Sequence, residues 1–250
     1  MTSPTTPTTP TPLPPAAQGW VERVRALQVI AQEGLAYTQD PWDRDRFGRL
    51  RELAALIADE VLDGVLVDGP PLAGATSDGP ATGQESRGPA TSSRPPGVAA
   101  RAVLAETGYL TPKLDVRAAV HDASGRLLLV REVSDGRWAL PGGWADVGET
   151  LAEGVVREVR EETGFAVEVE RLLGIYDRER WGHPSMLHFT LKSVLRCRIV
   201  GGEATPSPET DAVAWFARDD LPPLSRHRNS PELVARIFAH HDDPGLSPDL

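Results

Sequence analysis

The segment from Gly143 to Phe165, GWADVGETLAEGVVREVREETGF, constrains this chain more than any other. Gly143 is followed by five residues, Glu149, seven more, and then Arg157-Glu158-Val159-x-Glu161-Glu162-x-Gly164-Phe165. Thr150 to Thr163 reads as a helix, with Gly148 before it and Gly164 where a left-handed cap belongs. Glu158, Glu161 and Glu162 stand at i, i+3 and i+4, so their carboxylates leave the same face. Val155, Val156 and Val159 share another face and would dock on a sheet. Arg157 can cross to the carboxylates or bond the loop before the helix.

Clustered like charges cost a few tenths of a kcal/mol per pair unless something neutralises them. A hard divalent cation does so. Mg²⁺ takes carboxylate oxygens and keeps several waters, usually beside substrate phosphates. The default reading of any acidic run is a solvated helix face. The spacing argues against that reading: at about 7% usage per residue type, seven fixed positions coincide by chance on the order of once in 10⁸ trials.

The segment resembles the Nudix box, the signature of hydrolases of nucleoside diphosphates linked to another group. Every charged and glycine position of the box is present; the departure is Phe165, a packing position where the family usually carries an aliphatic residue. The resemblance implies an α/β class, an α/β/α sandwich with a mixed sheet, and Mg²⁺ (or Mn²⁺) as cofactor. It implies Glu158 and Glu162 as metal ligands with the Gly143 carbonyl beside them, and Glu161 as either a third ligand or the catalytic base. Arg157 would orient the glutamates through charge-assisted hydrogen bonds.

Upstream, residues 1–18 are a Pro/Thr-rich stretch that cannot bury a core, expected to be disordered. In residues 19–66, Trp20, Val24, Leu27, Ile30 and Ala31 follow helical spacing, and Gly34 can end that helix. Asp40-Pro41 reads as an N-cap followed by proline at the first helical position. Phe47, Leu50, Leu53, Ala54, Ile57 and Val61 give a second helix its stripe, with Gly64 as its stop. The expected hairpin is too small to stand alone. Its stretch GLAYTQDPWDRDRF resembles the helical N-terminal domain of a Nudix subgroup that includes CDP-choline and ADP-ribose pyrophosphatases. Residues 67–100, rich in Gly, Pro, Ala and Ser, read as a flexible linker. The catalytic domain is expected over 101–243 and a tail over 244–250.

Within that domain, Leu114, Val116, Ala118 and Val120 alternate with polar or small residues, the pattern of a half-buried strand. Strands are further expected at Arg126–Glu132, Trp138–Leu140, Phe165–Tyr176, Met186–Val200 and Ala212–Phe216, with a closing helix begun at Ser230. Glu209, in a region where Nudix enzymes often carry an extra acid, is a candidate base or a solvated loop acid; Glu203 is a weaker one. Arg117 and Arg131 could hold a phosphate or be exposed strand arginines. Trp144 could stack a base or pack. His183 and His188 form no metal-ligand pattern, and Arg226 to Asn229 reads as solvated surface.

A net charge of −10 argues against nucleic-acid binding by charge alone. Cys197 is the single cysteine, no apolar run approaches membrane-spanning length, and the N-terminus lacks a signal-like pattern, so a cytoplasmic location is expected. The function implied is hydrolysis of NDP-X to NMP and X-phosphate, with ADP-ribose or CDP-choline as substrate and a homodimer as assembly. The alternatives are a non-catalytic Nudix-like nucleotide sensor, which a degenerate box would favour, and an oxidised-nucleotide hydrolase, which usually lacks the helical N-domain.

Overall fold

The computed structural model describes residues 15–62, 96–205 and 207–250. They divide into two units that part between Leu110 and Thr111. Residues 1–14 and 63–95 carry most of the expected tail, the Gly64 stop and most of the expected linker, and these lie outside the described residues.

The N-terminal unit contains α1 (Pro15–Tyr37), α2 (Pro41–Leu62) and α3 (Val98–Ala105). Asp40 caps α2 as expected: its Oδ1 accepts from the amides of Trp42 and Asp43 at 2.8 and 3.0 Å. Gly34 does not end α1, which runs to Tyr37. A Cβ at Gly34 would lie 2.4 Å from the Phe47 ring, so glycine is there to let α2 approach. The unit is also larger than a hairpin. Asp59 of α2 accepts from the Gly97 and Ala100 amides at 2.6 and 2.8 Å, supplying the N-terminal cap that Gly97 cannot. Gln28 and Gln32 of α1 donate to the Val103 and Glu106 carbonyls. Residues 98–105 thus belong with the helices, and the boundary expected at residue 101 moves to Thr111. Val24, Ala31, Ala54 and Ala58 are buried, whereas Ile30 and Leu53 of the expected stripes stay exposed, as does Leu56.

The C-terminal unit carries β1 (Lys113–Val120), β2 (Leu127–Glu132), β3 (Trp138–Ala139), α4 (Leu151–Thr163), β4 (Phe165–Asp177), β5 (Thr190–Gly202), β6 (Thr210–Phe216) and α5 (Pro231–Asp242). One sheet is mixed, ordered β1-β5-β4, with β1 parallel to β5 and β4 antiparallel to it; the other is antiparallel, ordered β3-β2-β6. On one side, Val155 and Val159 of α4 pack with Val116, Ala118, Val120, Leu128 and Leu195. On the other, Leu233, Val234, Ile237 and Phe238 of α5 pack with Ala119, Leu127, Leu129 and Tyr176. This is the expected α/β/α sandwich. Each fully buried Leu contributes about 1.5–3 kcal/mol.

Because both faces are covered, β1 is not half-buried: Val116 to Val120 are all buried, Arg117 included. The face expected to meet solvent instead holds an internal ion cluster. Asp115 accepts from Arg117 Nε and Nη2 at 2.7 and 3.0 Å and from Lys192 Nζ of β5 at 2.8 Å. Burial alone would raise the Asp115 pKa, but the two cations hold it well below the carboxylate range. β5 begins at Thr190 rather than at Met186, after a loop whose His183 is buried and meets the Arg226 carbonyl through Nδ1 at 3.2 Å. The last residues are not a free tail. Asp249 bridges to Gly174 of β4, and its carboxylate takes Tyr176 Oη (2.8 Å), Arg236 Nε (2.7 Å) and His240 Nε2 (3.0 Å).

Candidate active site

Helix α4 is fixed at both ends by local sequence. Thr150 and Glu153 form a capping box, and Gly164 closes the helix in the left-handed region at φ 76°. Before it, Gly142 sits at φ 138°, where a Cβ would fall 2.0 Å from the Val116 carbonyl. Only glycine lets the turn lie this close to β1. The Gly143 carbonyl accepts from Val116 N at 2.8 Å and keeps a second lone pair.

Two of the three expected glutamates gather on this turn. Glu162 accepts from Gly142 N at 2.8 Å through Oε2 and is 4% exposed. A Cβ on Gly143 would lie 2.8 Å from Glu158 Oε1. Glu161 turns outward to solvent. Among the described residues no three His, Cys, Asp or Glu side chains are drawn together as a metal site. Arg157 stands among the acids, with one of its terminal nitrogens shared by Glu158 and Glu161. Its guanidinium donates to Glu149 Oε1 and Oε2 (2.9 and 3.0 Å), Glu158 Oε1 (2.9 Å), Glu161 Oε2 (3.1 Å) and the Trp144 carbonyl (3.4 Å). Both expected reaches of Arg157, to the carboxylates and to the preceding loop, are realised at once. Glu158, Glu162 and the Gly143 carbonyl remain as an all-oxygen donor set, the chemistry a hard divalent cation takes.

Burial pushes Glu162 up to about 8, with the Arg117 charge and the Gly142 amide opposing it. Burial also raises Glu158, against Arg157. Arg117 lies beneath the site. It is 2% exposed, spends its donors on Asp115 and the Leu140 carbonyl (3.1 Å), and acts on Glu162 by charge, so it cannot reach a phosphate as expected. Arg131 is exposed and bidentate with Asp211 at 2.6 and 3.0 Å. Trp144 is 37% exposed beside Gly143. Glu209 is exposed at the start of β6; its carbonyl accepts from Val133 N at 2.9 Å, and Thr210 next to it donates from Oγ1 to the Glu162 carbonyl at 2.6 Å. That brings the candidate base close to α4.

The sequence reading missed Glu132 and took Arg228 for solvated surface. Glu132, at the end of β2, is 1% exposed, and Arg228 Nε lies 3.0 Å from its Oε1. Both act on Glu162 by charge. Leu128, Val130 and Glu132 share one strand face, so an acid continuing an apolar row was the available signal. Of the stretch read as solvated surface, Arg226 is exposed, His227 and Arg228 are half-buried, and Asn229 is fully buried.

Fold and box together define a hydrolase of phosphoric anhydrides. The chain belongs to the Nudix family: residues 111–237 match the NUDIX domain, and residues 18–64 match the "UDP-X-like, N-terminal oligomerisation domain". It is 34% identical to YjhB of Bacillus subtilis, whose name assigns it provisionally as an ADP-ribose pyrophosphatase, over 88% of this chain and 90% of that protein. A crystal structure of an ADP-ribose pyrophosphatase from Streptococcus suis is 40% identical, with a TM-score of 0.51, and spans 56% of this chain and 98% of the other. A crystal structure of a UDP-X diphosphatase is 26% identical, with a TM-score of 0.53, over 94% of this chain and 98% of the other. The chain is a Nudix pyrophosphatase with the helical N-terminal domain of its subgroup.

Proposed function

We propose that this protein hydrolyses a nucleoside diphosphate linked to a second group, NDP-X, to NMP and X-phosphate, with ADP-ribose or CDP-choline as substrate. The observation that carries the reading is the pairing of Glu158 and Glu162 against the Gly142–Gly143 turn, in a box with every charged position in place. Glu158, Glu162 and the Gly143 carbonyl would hold Mg²⁺ or Mn²⁺. When bound, such an ion neutralises diphosphate charge and lowers the pKa of water. Arg157 fixes the rotamers of Glu149, Glu158 and Glu161 together. Glu161 or Glu209 takes the proton from the attacking water, and Trp144 offers a face for the base. Arg131 would meet a phosphate only by opening its pair with Asp211.

The N-terminal unit points to an oligomer, and we assign a homodimer, since two-fold pairing is the commonest way to cover exposed apolar helices. No described helix is long and apolar enough to cross a membrane. The lone, buried Cys197 fits a reducing cytoplasm. The substrate is tested by incubating the full chain and Mg²⁺ with ADP-ribose, CDP-choline, UDP-linked sugars and an oxidised dGTP, and identifying products by chromatography. Release of NMP and X-phosphate from a linked diphosphate is expected. Binding without turnover of any compound would mark a sensor instead.

A further inference from the structure

The loop before α5 is built into the site rather than laid over it. Trp138 N donates to the Pro223 carbonyl at 3.0 Å, and Ser225 N donates to the Trp138 carbonyl at 2.8 Å. Ser225 Oγ donates to Asp135 Oδ2 at 2.7 Å. The Asn229 amide, oriented to satisfy both ends, accepts from Leu140 N at 2.6 Å and donates to the Arg228 carbonyl at 2.8 Å. Leu140 stands two residues before Gly142, the amide donor to Glu162. Arg228 is thus tethered to the same turn that gathers the glutamates.

Its guanidinium is anchored on one edge and open on the other. Arg228 Nε lies 3.0 Å from Glu132 Oε1, yet that oxygen, fully buried, has no aligned hydrogen bond. Among the described residues no other side chain pairs with the Arg228 guanidinium. The Arg228 side chain is 23% exposed, against 1% for that of Glu132. A structural ion pair at this depth is normally satisfied on every oxygen, and an unsatisfied buried carboxylate calls for an explanation. Here the carboxylate holds a cation at the site without consuming its fork. Arginine presents five donors in a plane, and two parallel N–H groups match two phosphate oxygens.

We propose that Arg228 is a substrate-binding residue of this site, that its terminal N–H groups take a phosphate of the linked diphosphate, and that Glu132 is the positioning residue that aims it. This rests on the hydrolase reading above but concerns binding, so the two can fail separately. The Asn229–Leu140 bond holds the Arg228 loop to the strand end that runs into the Gly142 turn, whose amide meets Glu162, and the charge of Arg228 also acts on Glu162. Arg117, also acting on Glu162, is sealed inside; Arg228 is the arginine that remains open.

The test compares the full-length wild type with Arg228→Gln, Arg228→Lys and Glu132→Gln. Two measurements are made: calorimetric binding of ADP-ribose in Ca²⁺, and KM and kcat in Mg²⁺, with a thermal melt of each variant as control. Arg228→Gln should weaken binding and raise KM at least about tenfold, with a smaller change in kcat, on the scale of losing one charged hydrogen-bond donor. Arg228→Lys, which keeps charge but loses the fork, should recover part of that loss, and Glu132→Gln should raise KM by a smaller factor. If Arg228→Gln melts early, the Arg228→Lys affinity decides: unchanged from wild type overturns the proposal, weakened supports it. Equal binding by wild type and folded Arg228→Gln, or no binding of ADP-ribose by wild type, also overturns it. Weakened binding by Arg228→Gln, when the wild type binds ADP-ribose but turns nothing over, would leave the assignment standing and remove the hydrolase reading.

Discussion

Glu162 accepts a 2.8 Å hydrogen bond from the amide of Gly142, a residue on the turn that leads from β3 to α4. This contact fixes a nearly buried carboxylate against a backbone that only glycine can adopt. The two halves of the box, glycine turn and acidic helix, therefore form one object. Change on either side separates fold from function in opposite ways.

On the helix side, Glu162→Gln is nearly isosteric and removes a buried acid whose charged form burial disfavours. It should keep the fold, with a melting temperature equal to or slightly above wild type, while kcat falls at least about 10²-fold, as for loss of a principal electrostatic group. Steady-state kinetics and a thermal melt read both. A rate within a few-fold of wild type would exclude Glu162 as a ligand.

On the turn side, Gly142→Ala should do the reverse. A methyl 2.0 Å from the Val116 carbonyl, on a residue at φ 138°, combines overpacking with backbone strain. A loss of at least about 3 kcal/mol is expected. Urea denaturation measures it; a loss under about 1 kcal/mol would show that the turn relaxes.

The base is assigned by Glu161→Gln and Glu209→Gln in parallel. One should lose at least about 10²-fold in kcat and the other little. If Glu209→Gln is unimpaired, the base is Glu161.

Acid should destabilise the unit through its buried histidines. Burial, with the His241 and Arg196 charges, lowers His121 to about 3, and burial, with Lys192 and Arg178, lowers His183 to about 2. Both are therefore neutral when folded, and the unfolded chain takes up the protons. The stability they confer is complete above about 6.5 and is lost as pH falls toward about 3. Both ring nitrogens of His121 are buried without partners, and the ring stacks on His241 at 4.1 Å. His121→Phe should shrink the fall in melting temperature between pH 7 and pH 5; an unchanged fall would clear His121 of the effect.

The N-terminal unit leaves Trp20, Ile30, Leu53 and Leu56 exposed. Light scattering should give a dimer for the full chain and a monomer for a chain starting at Thr111. Equal mass and equal activity per chain would make the helices dispensable.

What was legible in the sequence was periodic or punctuated by special residues. The spacing of Glu158, Glu161 and Glu162 gave the helix, and Thr150 and Gly164 gave its ends, because those signals act within a few residues. The placement of Arg157 among the acids, and the outward turn of Glu161, depend on the Trp144 loop folding back, which no local period encodes. β1 read as half-buried because Asp115 and Arg117 are polar, while their partner Lys192 lies on a distant strand. Gly34 read as a stop because its actual role depends on a ring in another helix. Glu132 went unread and Arg228 read as solvated surface for the same reason, since the pair exists only once the loop before α5 has closed on β2 and β3.

The most direct test of the account is turnover of ADP-ribose by the full chain, with Mg²⁺ and with excess EDTA, followed by chromatography. AMP and ribose 5-phosphate should appear with Mg²⁺, vanish with EDTA, and be reduced at least about 10²-fold in Glu162→Gln under the same conditions. Hydrolysis at full rate in EDTA, or by Glu162→Gln, would contradict the site described above.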